Sequence, residues 1–412
     1  MSTQSMSAVA QVIKATGLSS AFCADLLGVS RQQFESWLAP QAGLPRYAVP
    51  ILSAVVGADL QALQQSPDSP DAVRALPPAI WYKLSDPALT ATDREMVGVI
   101  RKLAFHNQQL RTLRKKAALG FRAVFREVRD SVDLSASPDA QGILAAEWFR
   151  SSAQLQHGNF GIGELLRPTL RRLGLLVIES PVRNSRIEGC CFTTTIDQAP
   201  GVPCIFANTY RSTWFRRNAI LAHELCHAIF DVENDQVSID FRDGASEEFK
   251  ERRARIFMQN ILAPREVLVS AQNRLGLNWH APSELQMARL VADLGVEQKV
   301  IGDAAFDAGW IDASEREAWT RLNCESELKA ISPHALSTEE FLAQSKISNP
   351  LWAAKHRTAS VGSATLRFPV AYVEEVVQAA NENLITPAKA AELLMTDKRS
   401  LQGRFGIKVF GE

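Results

Sequence analysis

Hydrophobic positions divide the chain into blocks of different period. Over residues 20–38, SAFCADLLGVSRQQFESWL, the residues Cys23, Leu27, Val29, Phe34 and Trp37 fall where a pair of short helices would bury their faces. Ala24 and Gly28 lie four apart. The alanine lets two helices approach, and the glycine supplies the positive φ of a tight turn. Ser30 is placed to cap the second helix, and LPRYAVPILSAVVG supplies a closing one. From about 91 to 130, Val97, Ile100, Leu103, Leu110, Leu113, Ala117, Phe121, Val124 and Val128 recur mostly at helical spacing and predict one packed stripe. Beyond about 142 the pattern becomes mixed. GILAAEWFRSSAQLQ and IGELLRPTLRRLG read as helices, whereas 175–180, 189–196 and 203–208 read as short strands rich in β-branched and aromatic residues. Helices are then predicted from about Trp214 to Phe230 and from about Ser246 to Leu262, and the chain is largely helical after Pro264. Near the end, Val370, Val373, Val376, Val377 and Ala379 form one helix face, and Thr386 with Pro387 opens another helix. This last hairpin reads either as a packing appendage or as a regulatory or docking module.

Two stretches rich in Pro, Ser and Asp, 65–78 and 131–141, read as linkers. They suggest a helix-turn-helix unit at 1–64, a basic helical connector at 79–130, a mixed unit at 142–315 and a helical region at 316–412. The expected fold class is α+β, a mostly helical chain with a small antiparallel sheet in the third unit. A length of 412 residues and an apolar share of 46% suit several packed cores.

Charge changes the picture locally. The 45 basic side chains are balanced by 45 acidic ones, so the molecule as a whole does not coat nucleic acid. Residues 91–130 differ, with ten basic against four acidic side chains. That segment reads as a connecting helix with a solvated basic face, or as a surface for nucleic acid or a partner. The helix pair at 20–38 resembles the helix-turn-helix of the phage-repressor type. Arg31, Gln32 and Gln33 would sit in the first turn of its second helix, within reach of base edges or phosphates. Residues 1–60 balance to zero charge, Lys14, Arg31 and Arg46 against Asp25, Glu35 and Asp59. DNA-binding modules usually carry more positive charge, so a hairpin for protein contact fits this stretch too.

No apolar run approaches the roughly 18–20 residues that span a bilayer. The first residues lack the basic and apolar regions of a secretory signal. The cysteines, Cys23, Cys190, Cys191, Cys204, Cys226 and Cys324, contain no CxxC pair. These features predict a reduced, cytoplasmic protein with no disulfide framework, zinc ribbon or membrane partner.

The sharpest chemical signal is His223-Glu224-Leu225-Cys226-His227. On a helix, residues four apart share a face, so both imidazoles can address one ion. Glu224 is rotated off that face and is placed to accept a proton from an attacking water. The flanks Ile220, Leu221, Ala222, Ala228, Ile229 and Phe230 are apolar, which predicts a buried helix. Buried polar groups without partners are costly, so the pattern asks for a function. HExxH also arises by chance, and two ordinary histidines are the plain alternative. A catalytic site wants a third protein ligand. Asp231, Asp240, Asp243, Glu247, Glu248 and Glu251 are candidates that periodicity does not separate.

The stretch from about 142 to 312 resembles the ImmA/IrrE metallopeptidases. Their strand ending in Asn, basic turn and AHExxH helix correspond to Ile205-Phe206-Ala207-Asn208, Arg216-Arg217 and Ala222 to His227. Their second helix, E-x-x-A-N-x-F-A-x-x-L-L-M-P, is matched by Glu251, Ala254, Phe257, Leu262 and Pro264. The resemblance implies a zincin-like fold with Zn²⁺ held by His223, His227 and Glu251, with Glu224 as the catalytic base and Glu247 as the fallback ligand one turn away. The donor set itself suits several divalent metals. Cys226 and Arg255 stand where the family usually has Gly and Asn. The thiol reads as a buried small residue or as a sensor of oxidant or metal. Arg255 can pair with a carboxylate. An oxyanion stabiliser is not readable; His280, Tyr210 and Arg216 are candidates that fit structural roles as well. An edge strand among 189–208 would take substrate by β-addition.

Family members cleave helix-turn-helix repressors. The resemblance therefore implies a regulatory endopeptidase acting on a repressor encoded nearby, in mobile-element or stress-response control. The N-terminal hairpin would bring it to operator DNA or to the repressor. The alternative is a DNA-binding regulator whose peptidase-like domain senses metal or ligand without cutting.

Overall fold

The computed structural model describes residues 7–39, 42–65, 88–114, 120–155, 162–193, 201–232, 237–241, 249–332, 358–361 and 364–407. The 65–78 stretch falls almost wholly outside them.

Five short helices open the chain: α1 Ala8–Ala15, α2 Ser20–Leu27, α3 Arg31–Trp37, α4 Ala48–Val56 and α5 Leu60–Gln65. Serine hydroxyls start the first three. Ser7, Ser19 and Ser30 accept from the amides of Ala10, Phe22 and Gln33 at 3.2, 3.1 and 3.1 Å. Gly28 ends α2 in the left-handed conformation, with φ of 70°, and turns the chain toward α3. Phe22, Cys23, Phe34, Leu52 and Val55 fill the core between these helices.

The predicted helix at 91–130 is two helices, α6 Ala91–Leu113 and α7 Gly120–Asp130. Thr90 and Asp93 form a reciprocal capping box at the start of α6. The solvated basic face belongs to α7, where Arg122 and Arg126 are exposed. In α6 the basic residues Arg101 and Lys102 are buried, against the expectation of a solvated connector. Their charges meet carbonyls that helix ends leave unsatisfied. Lys102 Nζ donates to Leu26 O near the end of α2, and Arg101 Nε donates to Ala54 O near the end of α4. The Arg101 guanidinium also lies 5.2 Å from the centre of the Phe192 ring. Gly98 permits this close approach, since a Cβ there would meet the Phe22 ring at 3.0 Å.

α8 spans Pro138–Ser152 and α9 Gly163–Leu173. The stretch read as a linker at 131–141 is therefore a turn followed by a helix start. Ser137 caps α8, Pro138 occupies its first turn, and Gln141 is buried.

Four strands follow: β1 Leu176–Ser180, β2 Ile187–Phe192, β3 Cys204–Asn208 and β4 Val237–Phe241. Their order is β1-β3-β2-β4. The sheet is mixed, not antiparallel as expected. The chain leaves β2 and returns to insert β3 between β1 and β2, so β3 is antiparallel to β2 and parallel to β1. β2 and β3 are interior strands. Of the four, only β1 and β4 lie at the edges, so neither described strand within 189–208 is the edge strand expected there.

Helix α10, Trp214–Phe230, packs on β2 and β3, and α11, Phe249–Leu262, packs on both α10 and α8. The helices α12 Arg265–Leu275, α13 Glu284–Leu294, α14 Gln298–Asp307, α15 Ala313–Arg321 and α16 Glu325–Ile331 continue the chain. The hairpin of β5 Thr358–Val361 and β6 Ala364–Arg367 interrupts the helical C-terminal half. The closing helices are α17 Val370–Asn381, α18 Pro387–Leu393 and α19 Arg399–Phe405. The first two dock on α6, where Arg114 donates to Gln378 at 3.1 Å and Gln109 accepts from Lys389 at 3.1 Å. No helix among the described residues is long and apolar enough to cross a membrane.

Candidate metal centre

Two anchors fix the α10 helix. Thr213 caps it by accepting from Arg216 N at 3.1 Å. Asn208, at the end of β3, is fully buried; its amide donates to the carbonyls of Val182 and Ile187 at 3.1 and 3.0 Å, and its oxygen accepts from the amides of Val182 and Tyr210, both at 3.0 Å. The Asn at the strand end is thus a clamp on the 181–186 loop. From the far side of that loop, Ser185 Oγ and Arg186 N donate to Asp93 of α6 at 2.5 and 3.0 Å.

His223 and His227 project from one face of α10 toward α11, which carries Glu251 in its first turn. The two Nε2 atoms are 3.1 Å apart. Glu251 lies 3.1 Å from His223 Nε2 through Oε2 and 3.5 Å from His227 Nε2 through Oε1. Donors bound to zinc at ~2.1 Å in a tetrahedron sit about 3.4 Å from one another. The spacing and the chemistry of these donors therefore fit a divalent ion. Among the described residues, this is the one group of three or more His, Cys, Asp or Glu side chains so placed.

Asp231 takes another role. Its Oδ2 accepts from His227 Nδ1 at 2.8 Å, on the side of the ring away from Glu251. Arg253 Nη2 donates to both Asp231 oxygens at 2.7 Å, and Lys250 approaches at 3.7 Å. A carboxylate on the remote nitrogen fixes the tautomer in which Nε2 is the free lone pair. Asp243, Glu247, Glu248 and the Asp240 side chain lie outside the described residues.

These charges are strongly coupled. Burial pushes the His227 imidazole down, but its bonds to Asp231 and Glu251 and the nearby Glu224 charge outweigh burial and raise its pKa to about 10. Desolvation raises Glu251, yet the two histidines hold it well below the usual carboxylate range. Asp231 is held low in the same way, by His227 and Arg253 against its desolvation.

Glu224 is completely buried between α10 and β2. Gly189 makes room for it, because a Cβ there would stand 2.5 Å from Glu224 Oε1. Cys191 lies on the same face of β2, and burial, with the nearby Glu224 charge, raises that thiol well above its ordinary value. Cys226 is also buried; desolvation keeps its thiol protonated, and it faces Arg253, outside the ligand group. All six cysteines are free and buried.

The other candidates are engaged elsewhere. Arg216 is paired with Glu188 through Nε and Nη2, at 2.5 and 3.0 Å. His280 bonds Glu315 at 2.8 Å and is largely exposed. Tyr210 lies between Arg183 and Arg211. Arg255 acts electrostatically on Asp303 and Asp307 of α14. Arg31, Gln32 and Gln33 are exposed in the first turn of α3, and Arg31 pairs with Glu35 at 2.7 Å. Sequence reasoning overlooked Asp231 as a partner of His227, although the spacing of four residues signals it. Arg253, Gln141, Gly189 and Cys191 carried no such signal, because the contacts that give them meaning come from other elements.

A match to a peptidase family model suggests a metallopeptidase-like function for the domain that holds this site. Residues 170–300, which contain every candidate ligand, match the family described as Peptidase_M78, the IrrE N-terminal-like domain. No curated protein and no solved structure matches the chain.

Proposed function

We propose that this protein is a cytoplasmic zinc-dependent endopeptidase that regulates transcription by cleaving a helix-turn-helix repressor. The observation that carries the reading is the convergence of His223, His227 and Glu251 within 4.8 Å, with a carboxylate on the neighbouring residue Glu224. His223, His227 and Glu251 would hold the ion, which when bound supplies Lewis-acid polarisation of a peptide carbonyl and a lowered pKa for water. Glu224 accepts the proton of the attacking water and returns it to the leaving amine. Its burial beside Gly189 and Cys191 excludes bulk solvent from that transfer. The edge strand β4, not the interior strands, is the place for an extended substrate to add.

The exposed first turn of α3 supports a docking role for Arg31, Gln32 and Gln33 on operator DNA or on the repressor. A second reading, a DNA-binding regulator whose peptidase-like domain senses without cutting, draws on the complete burial of Glu224. Elemental analysis of wild type, His223→Ala and Glu251→Ala, with cleavage of the repressor encoded nearby, tests both. Near-stoichiometric zinc lost in both variants, with cleavage abolished in Glu224→Gln, supports the protease. Metal-free wild type under zinc-replete conditions overturns it. Zinc-loaded wild type with a regulatory output that Glu224→Gln leaves unchanged favours the sensor.

A further inference from the structure

The metal centre is supported by a hydrogen-bonded chain that begins outside the span matching the Peptidase_M78 family. The Gln141 amide, in the first turn of α8, donates to the carbonyls of Leu134 and Ala136 at 2.9 and 3.0 Å. Its oxygen accepts from Arg253 Nη1 at 3.2 Å. Arg253 clamps Asp231 with 2.7 Å bonds, and Asp231 holds His227 Nδ1 at 2.8 Å. Gln141, Arg253 and His227 are buried, as is the Asp231 side chain. The Arg253 guanidinium also lies 4.5 Å from the centre of the Phe230 ring, which restricts its orientation. Each member fixes the next. Gln141 is itself held by two carbonyls, so its oxygen must point at Arg253. Arg253 meets both Asp231 oxygens at once and so fixes the carboxylate plane. Asp231 then fixes the tautomer and tilt of the imidazole.

We propose that Gln141 and Arg253 are positioning residues of the metal centre, and that α8 is therefore a functional part of it, although residue 141 lies before the matched 170–300. The inference rests on the metal-binding half of the proposed function.

A neighbouring pair separates positioning from mere helix packing. Arg252 meets Asp139 with two bonds, of 2.5 and 2.6 Å, and joins the same two helices, α11 and α8, at an exposed place off the chain. Zinc affinity of the full chain, measured by competition with a chromophoric chelator and without any peptide substrate, is the readout. Outer partners of metal-bound histidine typically contribute 10–100-fold in affinity. Arg253→Met is expected to weaken zinc binding by that amount, Gln141→Leu by several-fold, and Arg252→Met by less than twofold. Arg253→Met in an Asp231→Asn background should add less than threefold, because both act through one imidazole. Far-UV circular dichroism checks that each variant is folded. If Arg253→Met does not fold, Arg253→Lys keeps the charge without the fork and should still lose at least fivefold. Wild-type affinity in folded Arg253→Met or Arg253→Lys, or an equal loss in Arg252→Met, overturns the positioning role while leaving the ligand set intact. Absence of zinc binding by wild type overturns this inference and the proposed function together.

Discussion

Replacing Gly189 by alanine places one methyl group against the buried Glu224 carboxylate. A Cβ at that position would come within 2.5 Å of Glu224 Oε1, 3.0 Å of Glu224 Cγ and 2.8 Å of Ile220 Cγ2. Attractive contact between heavy atoms begins near ~3.5 Å, so the overlap is roughly 0.7–1 Å. Ile220 and Glu224 are adjacent turns of one helix that is packed on the sheet, so neither Cα can retreat alone. The end of the Glu224 side chain is the part that yields. Overpacking of this kind destabilises by about 1–3 kcal/mol, a drop of a few degrees in Tm. A displacement of ~1 Å at a reacting group lowers a rate by on the order of 100-fold. The assay is thermal unfolding beside the cleavage rate, for Gly189→Ala alone and in a Glu224→Ala background. Removing the carboxylate relieves the clash with Oε1, so the double variant should show a penalty smaller by at least ~0.5 kcal/mol. A Gly189→Ala protein with wild-type Tm and rate refutes the placement of Glu224 against β2. Equal penalties in the two backgrounds refute the claim that the carboxylate is what the methyl meets.

Three other outcomes are expected. Gly163→Ala should destabilise more than Gly189→Ala, by about 3 kcal/mol or more, because its Cβ would stand 2.6 Å from both Cα and O of Gly295, backbone atoms with no flexible end; chemical denaturation of the two variants side by side decides this. Burial brings Lys102 from its usual 10.5 to about 8, partly offset by Glu392. Its folded pKa lies below its unfolded one, so the cost of the charged form is fully present below pH 8 and lifts as pH rises to 10.5. Unfolding free energy should therefore gain roughly 3 kcal/mol across that window relative to Lys102→Met, which lacks the titration; parallel pH slopes in the two proteins would contradict it. Finally, free zinc at ~100 times its Kd should stabilise the fold by about 2.7 kcal/mol, and a chelator should reverse this; differential scanning calorimetry with and without chelator reads the shift, and His223→Ala should show none.

The elements that carry strong local signals were legible. Gly28 and Ser30 mark a turn and a cap whatever packs around them, and both play those parts. The spacing of His223 and His227 paired two donors, the family resemblance picked out Glu251 among several carboxylates, and the fold brings the three together. What escaped depends on long-range pairing. The mixed sheet follows from β3 entering between β1 and β2, a choice no strand's own residues encode. β4, VSIDF, does alternate apolar and polar residues, but the run is only five residues long between polar stretches and was passed over. Lys102 and Arg101 looked like solvated charges because their acceptors, Leu26 O and Ala54 O, are backbone atoms 76 and 47 positions away. Gln141 belonged to a stretch rich in Ser, Pro and Asp and was taken with it as linker; the same Ser137 and Pro138 are also a helix start signal.

The shared use of α6 has a consequence for reach. One face of that helix is fastened to the ends of α2 and α4, while Arg101 also lies over Phe192 of the sheet on which the histidine helix packs. The turn bearing Arg31, Gln32 and Gln33 is thus mounted at a set offset from His223 and His227, not on a leash. A flexible tether presents a bound target over a cloud of distances, and its local concentration falls gradually with length. A rigid mount presents it along one vector. Under the proposed function, a target docked on α3 would reach His223 and His227 only if its scissile segment ended at that vector, and the offset would act as a built-in ruler. Selectivity would then reside as much in the separation of two sites as in the residues of either.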